Sequence, residues 1–342
     1  MFTLGIDVSK LTLDAALFDG RKFKTKTFRN TSAGIVSLQG WLIAAQAQGC
    51  AVGLEATGSY SEAVACALHD AGYRVSVINP ARIAAFVQTE LGRSKTDALD
   101  AKRIARFTVM HQPARWEPAA LNIRVLQALV RRLDSLKDLH QQESNRLDTA
   151  HASVQPSILA VIALLDAQIE ELQRAIRDHI DQDPDLRHKR DLLESIPGIS
   201  NRTSAVLLSH LHALERCRTA KQWVAYAGMD CSIAQSGTSL QRRGHISKRG
   251  SSSLRAALFM PAIVASRHNP ILATFAQQLR AAGKPGLVMV CAVMRKLMHI
   301  VYGVLKHQAP FDPNRLARGW ARRYLPTSRG RAGLRPAARI TG

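Results

Sequence analysis

Four carboxylic acids dominate the chemistry that this sequence could perform, because each lies where a strand or a helix is expected to begin or end. Asp7 lies at the end of one apolar, strand-like run, and Glu55 lies at the end of another. Asp97 and Asp100 open a helix-like segment, and a helix would place both carboxylates on one face, with Cβ atoms about 5–6 Å apart. Carboxylate oxygens suit Mg²⁺, which also keeps water and substrate phosphate as ligands. We therefore predict that the four acids bind Mg²⁺ for phosphodiester chemistry.

Each acid also has a purely structural interpretation. Asp97 could favour the positive end of the helix dipole. Asp100 could pair with Arg103, and Asp7 and Glu55 could be turn residues at strand ends. Each structural role is plausible on its own, but the occurrence of all four acids in the element order of one α/β domain favours a shared metal site. Two ions about 3.5–4 Å apart would stabilise both the attacking and the leaving oxygen of a phosphodiester.

The charge balance points to a polyanionic partner. Lys and Arg outnumber Asp and Glu by 47 to 26, which gives a formal charge of +21 and a pI of about 10.5. Neutralised phosphates release counterions and drive binding, so nucleic acid is the expected partner. An anionic membrane is the alternative, but no apolar run approaches the roughly 20 residues that a spanning helix needs. Asp7 and Lys10 interrupt the first apolar stretch, which argues against a signal peptide.

The cysteines favour a reducing, cytoplasmic environment. Five occur singly, at Cys50, Cys66, Cys217, Cys231 and Cys291. No two have the spacing of metal ligands, and the odd number argues against a disulfide framework. We expect small buried hydrophobic side chains rather than structural zinc.

Residues 1–110 alternate strand and helix patterns. Three successive strands are predicted first, with Gly20 and Arg21 as a hairpin turn, and helices then alternate with two further strands. The predicted strands are Phe2–Val8, Leu11–Phe18, Lys22–Phe28, 50–56 and Arg74–Ile78, and the predicted helices are 33–48, 60–71, 81–90 and one that begins with the acidic pair. This is the element order of an α/β ribonuclease H-like domain, although other α/β folds begin in the same way.

The rest of the chain is expected to be mostly helical. Leucines and isoleucines at helical spacing predict two long amphipathic helices within residues 119–182, which would form either a packed bundle or a coiled-coil dimerisation arm. The segment around Pro197-Gly198 is similar to a helix-hairpin-helix element, whose turn amides can hold a phosphate, or is an ordinary helical hairpin. After Asp312 no acidic residue follows, and an Arg-rich tail is predicted to lie on nucleic acid or in solvent.

Residues 226–257 are rich in serine, glycine and basic side chains. Ser236, followed by Gly237, is a candidate exposed nucleophile, although a serine hydroxyl is weak without a base or a nearby positive charge. The alternative is a phosphate-binding loop with no covalent role. Basic residues in this segment and beside the acidic pair are predicted to bind nucleic acid: Lys95, Lys102, Arg103, Arg242, Arg243, Lys248, Arg249 and Arg255.

A set of short motifs carries a family resemblance over about residues 1–313. The N-terminal motifs are Gly5-Ile6-Asp7-Val8-Ser9-Lys10, Glu55-Ala56-Thr57-Gly58 and Lys95-Thr96-Asp97-Ala98-Leu99-Asp100-Ala101. The C-terminal motifs are Ile196-Pro197-Gly198-Ile199, Ala225-Tyr226-Ala227-Gly228, Ser236-Gly237, Ile246-Ser247-Lys248-Arg249-Gly250 and Leu254-Arg255. In these motifs the chain resembles the bridge-RNA-guided DEDD recombinases of the insertion-sequence one-ten family and the related Piv-type DNA invertases.

The resemblance implies a fold, a mechanism and partners. It implies a RuvC-like catalytic domain (1–112), a coiled-coil linker (113–185), a C-terminal transposase domain (186–313) and the tail (314–342). It implies that Asp7, Glu55, Asp97 and Asp100 bind Mg²⁺, and that a serine, Ser236 or as second choice Ser247, forms a phosphoserine intermediate with DNA. Its expected partners are donor and target DNA, a structured bridge RNA, and further copies of the chain in a dimer and a tetramer.

Two other functions fit parts of the sequence. A RuvC-like nuclease would need the acids but no serine, because water would be the nucleophile. A non-catalytic RNA- and DNA-binding scaffold would need only the basic residues. Because 5% of residues are aromatic, extensive base-stacking surfaces are not expected, and the excess charge would instead hold nucleic-acid backbones.

Overall fold

The structure is a computed structural model that describes residues 2–56, 58–89, 97–232, 235–236, 240–241 and 245–314. At Ser59, Thr89, Asp97, Ala98, Gln235, Ser236, Leu240 and Gln241 the description is limited to the backbone. The chain forms two compact units, Met1–Ala119 and Ala120–Gly342. The first is a mixed α/β unit, and the second is mostly helical.

A five-stranded sheet organises the first unit. Its strands are β1 (Thr3–Val8), β2 (Thr12–Phe18), β3 (Phe23–Arg29), β4 (Ala51–Glu55) and β5 (Arg74–Ile78), in the order β3-β2-β1-β4-β5. The first three strands are antiparallel, and β4 and β5 run parallel to β1. At the turn between β2 and β3, the Asp19 carboxylate accepts hydrogen bonds from the backbone N–H groups of Arg21 and Lys22, and Gly20 has φ +103°.

Helices cover both faces of this sheet, because successive strand residues point to opposite faces. The helices are α1 (Ser32–Ala44), α2 (Ser59–Asp70), α3 (Pro80–Thr89) and α4 (Asp97–His111). Leu4, Ile6 and Val52 face α1 and α2 in one apolar core. Gly5 and Gly53 face α4, where Ile104 and Phe107 pack with Ile78 in a second core. The predicted strands and helices of this half of the chain are thus confirmed, with boundary shifts of a few residues.

Two long helices open the second unit, α5 (Leu121–Leu147) and α6 (Gln155–Gln182). They are antiparallel, because His179 near the end of α6 hydrogen-bonds the carbonyl of Asn122 at the start of α5 (2.8 Å). Pro156 lies in the first turn of α6, where its missing N–H costs no helical hydrogen bond, so the break between the helices precedes it. The predicted pair of amphipathic helices is confirmed, and whether it serves as a dimerisation arm stays a prediction.

The remainder of the second unit is a helical core with two small two-stranded ribbons. Its helices are α7 (Pro184–Glu194), α8 (Asn201–Ser209), α9 (Leu211–Arg216), α10 (Ala220–Tyr226), α11 (Ser252–His268), α12 (Pro270–Ala281) and α13 (Gly286–His307). Between α10 and α11 lie the short strands β6 (Cys231–Ser232), β7 (Gln235–Ser236), β8 (Leu240–Gln241) and β9 (His245–Ile246). Strand β6 pairs with β9, and β7 pairs with β8.

Helix α13 corrects one expectation from the sequence. The helix has 22 residues, and an 18-residue stretch of it has a mean hydropathy of 1.7, so it is long and apolar enough to cross a membrane by length and composition, whereas no such run is expected from the sequence. Its apolar side chains pack inside the second unit, where Val293, Leu297 and Val301 are fully buried. The adjacent Arg295 and Lys296 interrupt the apolar run in the sequence, while the buried face of the helix remains apolar.

Candidate active site

Asp7 and Glu55 lie side by side at one end of the sheet. Ile6 of β1 is aligned with Leu54 of β4, so the acids that follow them occupy the same level on neighbouring parallel strands. Such strands are about 4.8 Å apart, and residues at one level point to the same face. That face is the one on which α4 packs, since it also carries Gly5. The two carboxylates therefore share the sheet face beneath α4.

Helix α4 brings its first turn towards these acids. Its middle crosses Gly5, and the Arg106 guanidinium, farther along the helix, lies 5.5 Å from the Phe23 ring, at the end of the sheet where β1 begins. The helix therefore runs antiparallel to β1, and its first turn lies towards the end of the strand that carries Asp7. Asp97 begins the helix as predicted, but its side chain is outside the described structure.

Asp100 makes the ion pair that the sequence left open as an alternative. Arg103 Nη1 donates to Asp100 Oδ1 at 2.8 Å, and Arg103 is only 5% exposed. A buried guanidinium of this kind orients the carboxylate and balances part of its charge. Contact of Arg103 with nucleic acid stays a prediction, and so does that of Lys102, which is half-buried on the same helix. Lys95 lies outside the described residues.

The donor set fits a hard cation, but the described side chains do not by themselves enclose one. Asp7, Glu55 and Asp100 offer only oxygen ligands, which is the chemistry that Mg²⁺ requires. Among the side chains that the structure describes, no three His, Cys, Asp or Glu groups are close enough to hold a metal ion together. Convergence of all four predicted acids, Asp97 included, therefore stays a prediction.

Asp14 is a fifth carboxylate that the sequence interpretation missed. It is the aligned partner of Asp7 on the antiparallel strand β2, on the same face of the sheet. Thr27 Oγ1 donates to one Asp14 oxygen at 2.6 Å, and Thr12 Oγ1 donates to the other at 3.3 Å. The sequence signal was available, because Thr12 and Asp14 are the polar positions of an otherwise alternating apolar strand.

The predicted nucleophile, Ser236, lies in the segment that connects a pair of hydrogen-bonded polypeptide strands of the second unit. We call this pair the neck (residues 226–232 and 245–251). Within the neck, Lys248 N donates to Gly228 O (2.9 Å), and Ser251 N donates to Tyr226 O (2.9 Å). Ser236 lies in β7, aligned with Leu240, in the segment that the neck closes off. Its backbone is described but its side chain is not, and Arg242 and Arg243 lie outside the described residues.

Ser247, the second candidate nucleophile, belongs to the neck itself. Its hydroxyl donates to the Asp230 carboxylate, and its backbone N–H donates to the Asp230 carbonyl at 2.9 Å. The Asp230 carboxylate thereby accepts a hydrogen bond from the Ser247 hydroxyl and fixes the orientation of that hydroxyl. Lys248 and Arg249 follow: both are exposed, and both remain predicted phosphate contacts.

Arg255 points onto the protein backbone. Its Nη1 lies 2.9 Å from Ala227 O, 2.9 Å from Gly250 O and 3.2 Å from Ser251 O. All three carbonyls belong to the neck. The predicted role of Arg255 as a phosphate contact stays untested, but these three acceptors are the partners that the structure gives to Nη1.

His210, Ser253 and Tyr226 form a hydrogen-bonded group that the sequence interpretation also missed. His210 Nδ1 lies 3.1 Å from Tyr226 Oη, and His210 Nε2 lies 3.1 Å from Ser253 Oγ. Burial, and to a smaller extent the Arg131 charge, lowers the pKa of His210 to about 4. The imidazole is therefore neutral at neutral pH, so that one ring nitrogen donates a hydrogen bond and the other accepts one from these two hydroxyls. No sequence spacing reveals this group, because its members lie 16 and 43 residues from His210.

Ser253 also lines a groove of about 940 Å³ along α11. The predicted helix-hairpin-helix turn borders the same groove: Gly198, with φ +106°, packs against Ala265 of α11, where a Cβ would lie 2.8 Å from the Ala265 Cβ. Lys137 and Arg202 lie at its rim beside acidic Asp134 and Asp138, so the groove carries both charges. Phosphate binding by this turn stays a prediction.

Two family models match the chain. A model of DEDD transposases of the IS110 type matches residues 4–156, and a model described as "Transposase IS116/IS110/IS902 family" matches residues 190–277. The chain is 32% identical over 312 residues to the pilin gene-inverting protein of Moraxella bovis, which covers 90% of this chain and 97% of that protein. The chain belongs to the IS110 transposase family. The corresponding protein of Moraxella lacunata is 31% identical over the same length.

A third relative matches only part of this IS110-family chain. An uncharacterised 43.6 kDa protein of insertion element IS110 from Streptomyces coelicolor is 27% identical over 138 residues, which is 40% of this chain and 34% of that protein. The first family model contains Asp7, Glu55, Asp97 and Asp100, and the second contains the neck and Ser236. Each candidate site of this IS110-family protein therefore lies inside a family-defining region.

Proposed function

We propose that this IS110-family protein is a site-specific DNA recombinase that cuts and exchanges DNA strands. The observation that carries the proposal is the placement of Asp7 and Glu55 at one level on one sheet face, with the first turn of α4 directed towards them. The identity to two pilin gene-inverting proteins supports recombination over simple hydrolysis.

The proposed fold of the first unit is RuvC-like, of the ribonuclease H class. The strand order β3-β2-β1-β4-β5, with three antiparallel strands followed by two parallel ones, supports it. In such a fold the first strand carries a central acid, a neighbouring parallel strand ends in a second, and a late helix supplies the rest. Asp7, Glu55 and the Asp97/Asp100 pair match these positions.

Asp7, Glu55, Asp97 and Asp100 would hold Mg²⁺, which supplies Lewis-acid stabilisation of charge on the phosphodiester oxygens. Asp14, aligned with Asp7 and held by two threonine hydroxyls, adds negative charge beside the metal-binding acids. Arg103 orients the Asp100 carboxylate and balances part of its charge. This acid cluster would bind and orient the scissile phosphate rather than attack it.

The proposed nucleophile is Ser236. Its Oγ forms a bond to the DNA phosphorus as the phosphorus–oxygen bond to the DNA leaving group breaks, so the serine proton is released and the leaving oxygen gains one. A hydroxyl of the partner DNA strand then attacks the phosphoserine, restores the phosphodiester and returns the serine. The energy of the first phosphodiester is kept in the covalent intermediate, so strand exchange needs no outside energy source.

The proposed partners are donor and target DNA, a structured bridge RNA, and other copies of the chain in a dimer and a tetramer. The formal charge of +21 and the low aromatic content support contacts to several nucleic-acid backbones rather than base stacking. The bridge RNA would select sequence by base pairing, and this part of the proposal rests on the family resemblance alone. The proposed location of this DNA-acting protein is the cytoplasm.

The test is a strand-exchange assay with Mg²⁺ and cognate element ends, combined with trapping of a covalent protein–DNA adduct. We expect Asp7→Ala and Ser236→Ala each to abolish exchange, and adduct formation to require Ser236. Asp70→Asn, an exposed acid at the end of α2, and Ser37→Ala, on the surface of α1, are the matched controls and should exchange strands normally.

Mass spectrometry of the adduct then assigns the nucleophile among Ser236, Ser247 and Ser253. Recombination by the Ser236→Ala protein would show that Ser236 is the wrong serine. Breakage without any adduct would favour the nuclease that uses water. Absence of breakage on cognate DNA with Mg²⁺ would leave a non-catalytic nucleic-acid-binding scaffold.

A further inference from the structure

The two strands of the neck approach each other more closely than side chains allow. A Cβ at Gly250 would lie 2.2 Å from Tyr226 O and 2.5 Å from Gly228 N, which are both backbone atoms. Gly228 has φ +66°, a left-handed conformation that glycine adopts at little cost. The two glycines therefore allow the strands to come together where the serine-bearing segment leaves the helical core.

One guanidinium group bridges the two sides of this close approach. Arg255, one turn into α11, contacts Ala227 O on the incoming strand and Gly250 O and Ser251 O on the outgoing strand through a single nitrogen. It also lies 2.9 Å from the position of a Gly228 Cβ, so a larger residue there would displace it. Carbonyl groups of both strands share one positive charge, which opposes their separation.

The same strands are tied to the helices around them. The Tyr226 carbonyl accepts a hydrogen bond from Ser251 N, and the Tyr226 hydroxyl is hydrogen-bonded to His210. His210 is in turn hydrogen-bonded to Ser253 in the first turn of α11. Ser251 caps α11, where its hydroxyl accepts from Leu254 N at 3.3 Å. The base of the serine-bearing segment is thereby held by the residue between α8 and α9, by α10 and by α11 together.

We propose that Arg255 is a positioning residue for strand exchange, which holds the neck closed and so fixes the origin of the segment that carries the nucleophile. This inference rests on the proposed function, because it takes a serine between residues 233 and 244 as the attacking group. Arg255 acts through the backbone of Ala227, Gly250 and Ser251 rather than by binding DNA. It differs in this from the phosphate contact that the sequence suggested.

The experiment measures three quantities for the full-length protein: the single-turnover rate of covalent adduct formation, the affinity for cognate DNA, and the melting temperature. For Arg255→Ala we expect the rate of adduct formation to fall on the order of 10²-fold, because small displacements of a reacting group cost this much. DNA affinity should change less than about twofold. Arg255→Lys keeps one donor and should retain an intermediate rate.

Addition of guanidinium ion at millimolar concentration provides a readout that a general loss of structure would not give. If the cavity left by Arg255→Ala binds guanidinium, the rate should recover several-fold while the wild-type rate stays unchanged. The matched control is Arg267→Gln, an exposed arginine in the last turn of the same helix, which should behave as wild type in all three measurements.

Gly250→Ala tests the same neck without touching Arg255. It should slow adduct formation as Arg255→Ala does, because the new Cβ would force the strands apart. If Arg255→Ala fails to fold, the Arg255→Lys and Gly250→Ala rates decide the question. Wild-type rates in those two variants would overturn the proposal.

The outcomes separate this inference from the proposed function. A wild-type adduct rate in folded Arg255→Ala would overturn the positioning role, and so would a loss of DNA affinity at an unchanged rate, which would restore the phosphate contact. If Ser236→Ala still forms an adduct, the assigned serine is wrong, yet Arg255→Ala must still slow attack by any other residue of segment 233–244. An adduct that maps to Ser247 or Ser253, outside that segment, would overturn the positioning role of Arg255 and leave the proposed recombinase function in place with a different nucleophile.

Discussion

At the scale of single residues, the two candidate sites depend on how charged and titratable groups are paired. Like charges directly opposite on neighbouring strands destabilise a sheet, and Asp7 and Asp14 are opposite. Donation from Thr12 and Thr27 to Asp14 offsets part of this cost. A bound cation would offset more, so the folded unit is itself expected to favour cation binding at this face.

His210 makes the clearest pH prediction. Its pKa is about 4 in the folded protein and about 6.5 when unfolded, so between these values the unfolded chain binds the extra proton. The contribution of His210 to the free energy of unfolding should therefore be fully present above about pH 6.5. It should fall by about 1–3 kcal/mol as the pH drops towards 4. Urea denaturation of wild-type protein and of His210→Gln across this range should show that the wild type loses more stability than the variant, by this amount.

The comparison isolates His210 because every carboxylate titrates in both proteins. Arg131 and Tyr226 face the imidazole and also remain in both. Parallel curves of stability against pH for the two proteins would contradict the prediction. Loss of the difference at high salt would instead show that Arg131, rather than burial, lowers the pKa.

At the scale of elements, the placement of α4 decides whether the acids can act together. The helix backbone lies directly on β1, since a Cβ at Gly5 would be 2.1 Å from Ala101 O and 2.4 Å from Ala105 N. Gly53 permits the same close approach of α4 on β4, where a Cβ would lie 2.0 Å from Thr108 Oγ1. Two glycines at one level of the sheet therefore set the depth at which the helix bearing Asp97 and Asp100 packs.

Gly5→Ala should disturb this packing. The added methyl group meets backbone atoms that cannot rotate away, so we expect a loss of about 3 kcal/mol in the free energy of unfolding. Displacement of α4 should also reduce strand exchange. The control is Gly40→Ala, an exposed position in α1 with no atom near the new Cβ, which should stabilise by about 0.5–1 kcal/mol.

Urea denaturation measures both variants, and circular dichroism confirms that each is folded at the start. Equal effects of Gly5→Ala and Gly40→Ala would contradict the close approach of α4 to β1. Full activity in a destabilised Gly5→Ala protein would show that the position of α4 is not critical for the chemistry.

At the scale of the whole molecule, net charge governs binding. A formal charge of +21 on 342 residues predicts many phosphate contacts across the nucleic-acid partners. If 6–10 phosphates are neutralised, affinity for duplex DNA should fall about 10³- to 10⁵-fold between 50 and 200 mM salt. Fluorescence anisotropy with labelled duplex DNA measures the slope.

The control for this experiment is circular dichroism at each salt concentration, which should show no change in folding. A slope near zero would contradict the electrostatic interpretation of the charge. The same titration with structured RNA would show whether both partners use the basic surface equally.

Much of the first unit was predictable from sequence because its signals are local. Alternating apolar residues specify the strands, and the hairpin turn follows from Asp19, Gly20 and its neighbours. Helical spacing likewise specifies the two long helices of the second unit. The length of the apolar helix α13 was not predicted, because Arg295 and Lys296 interrupt the apolar run in the sequence although its buried face is continuous.

The sequence by itself determined which residue types are available: an excess of positive charge, four acids at element ends, and a serine-rich basic segment. The tertiary structure alone decided which of them meet. Strand register sets Asp14 beside Asp7, and the fold brings His210 to a serine 43 residues away. The physical reason is that contacts between distant segments depend on register and packing, which no local pattern records.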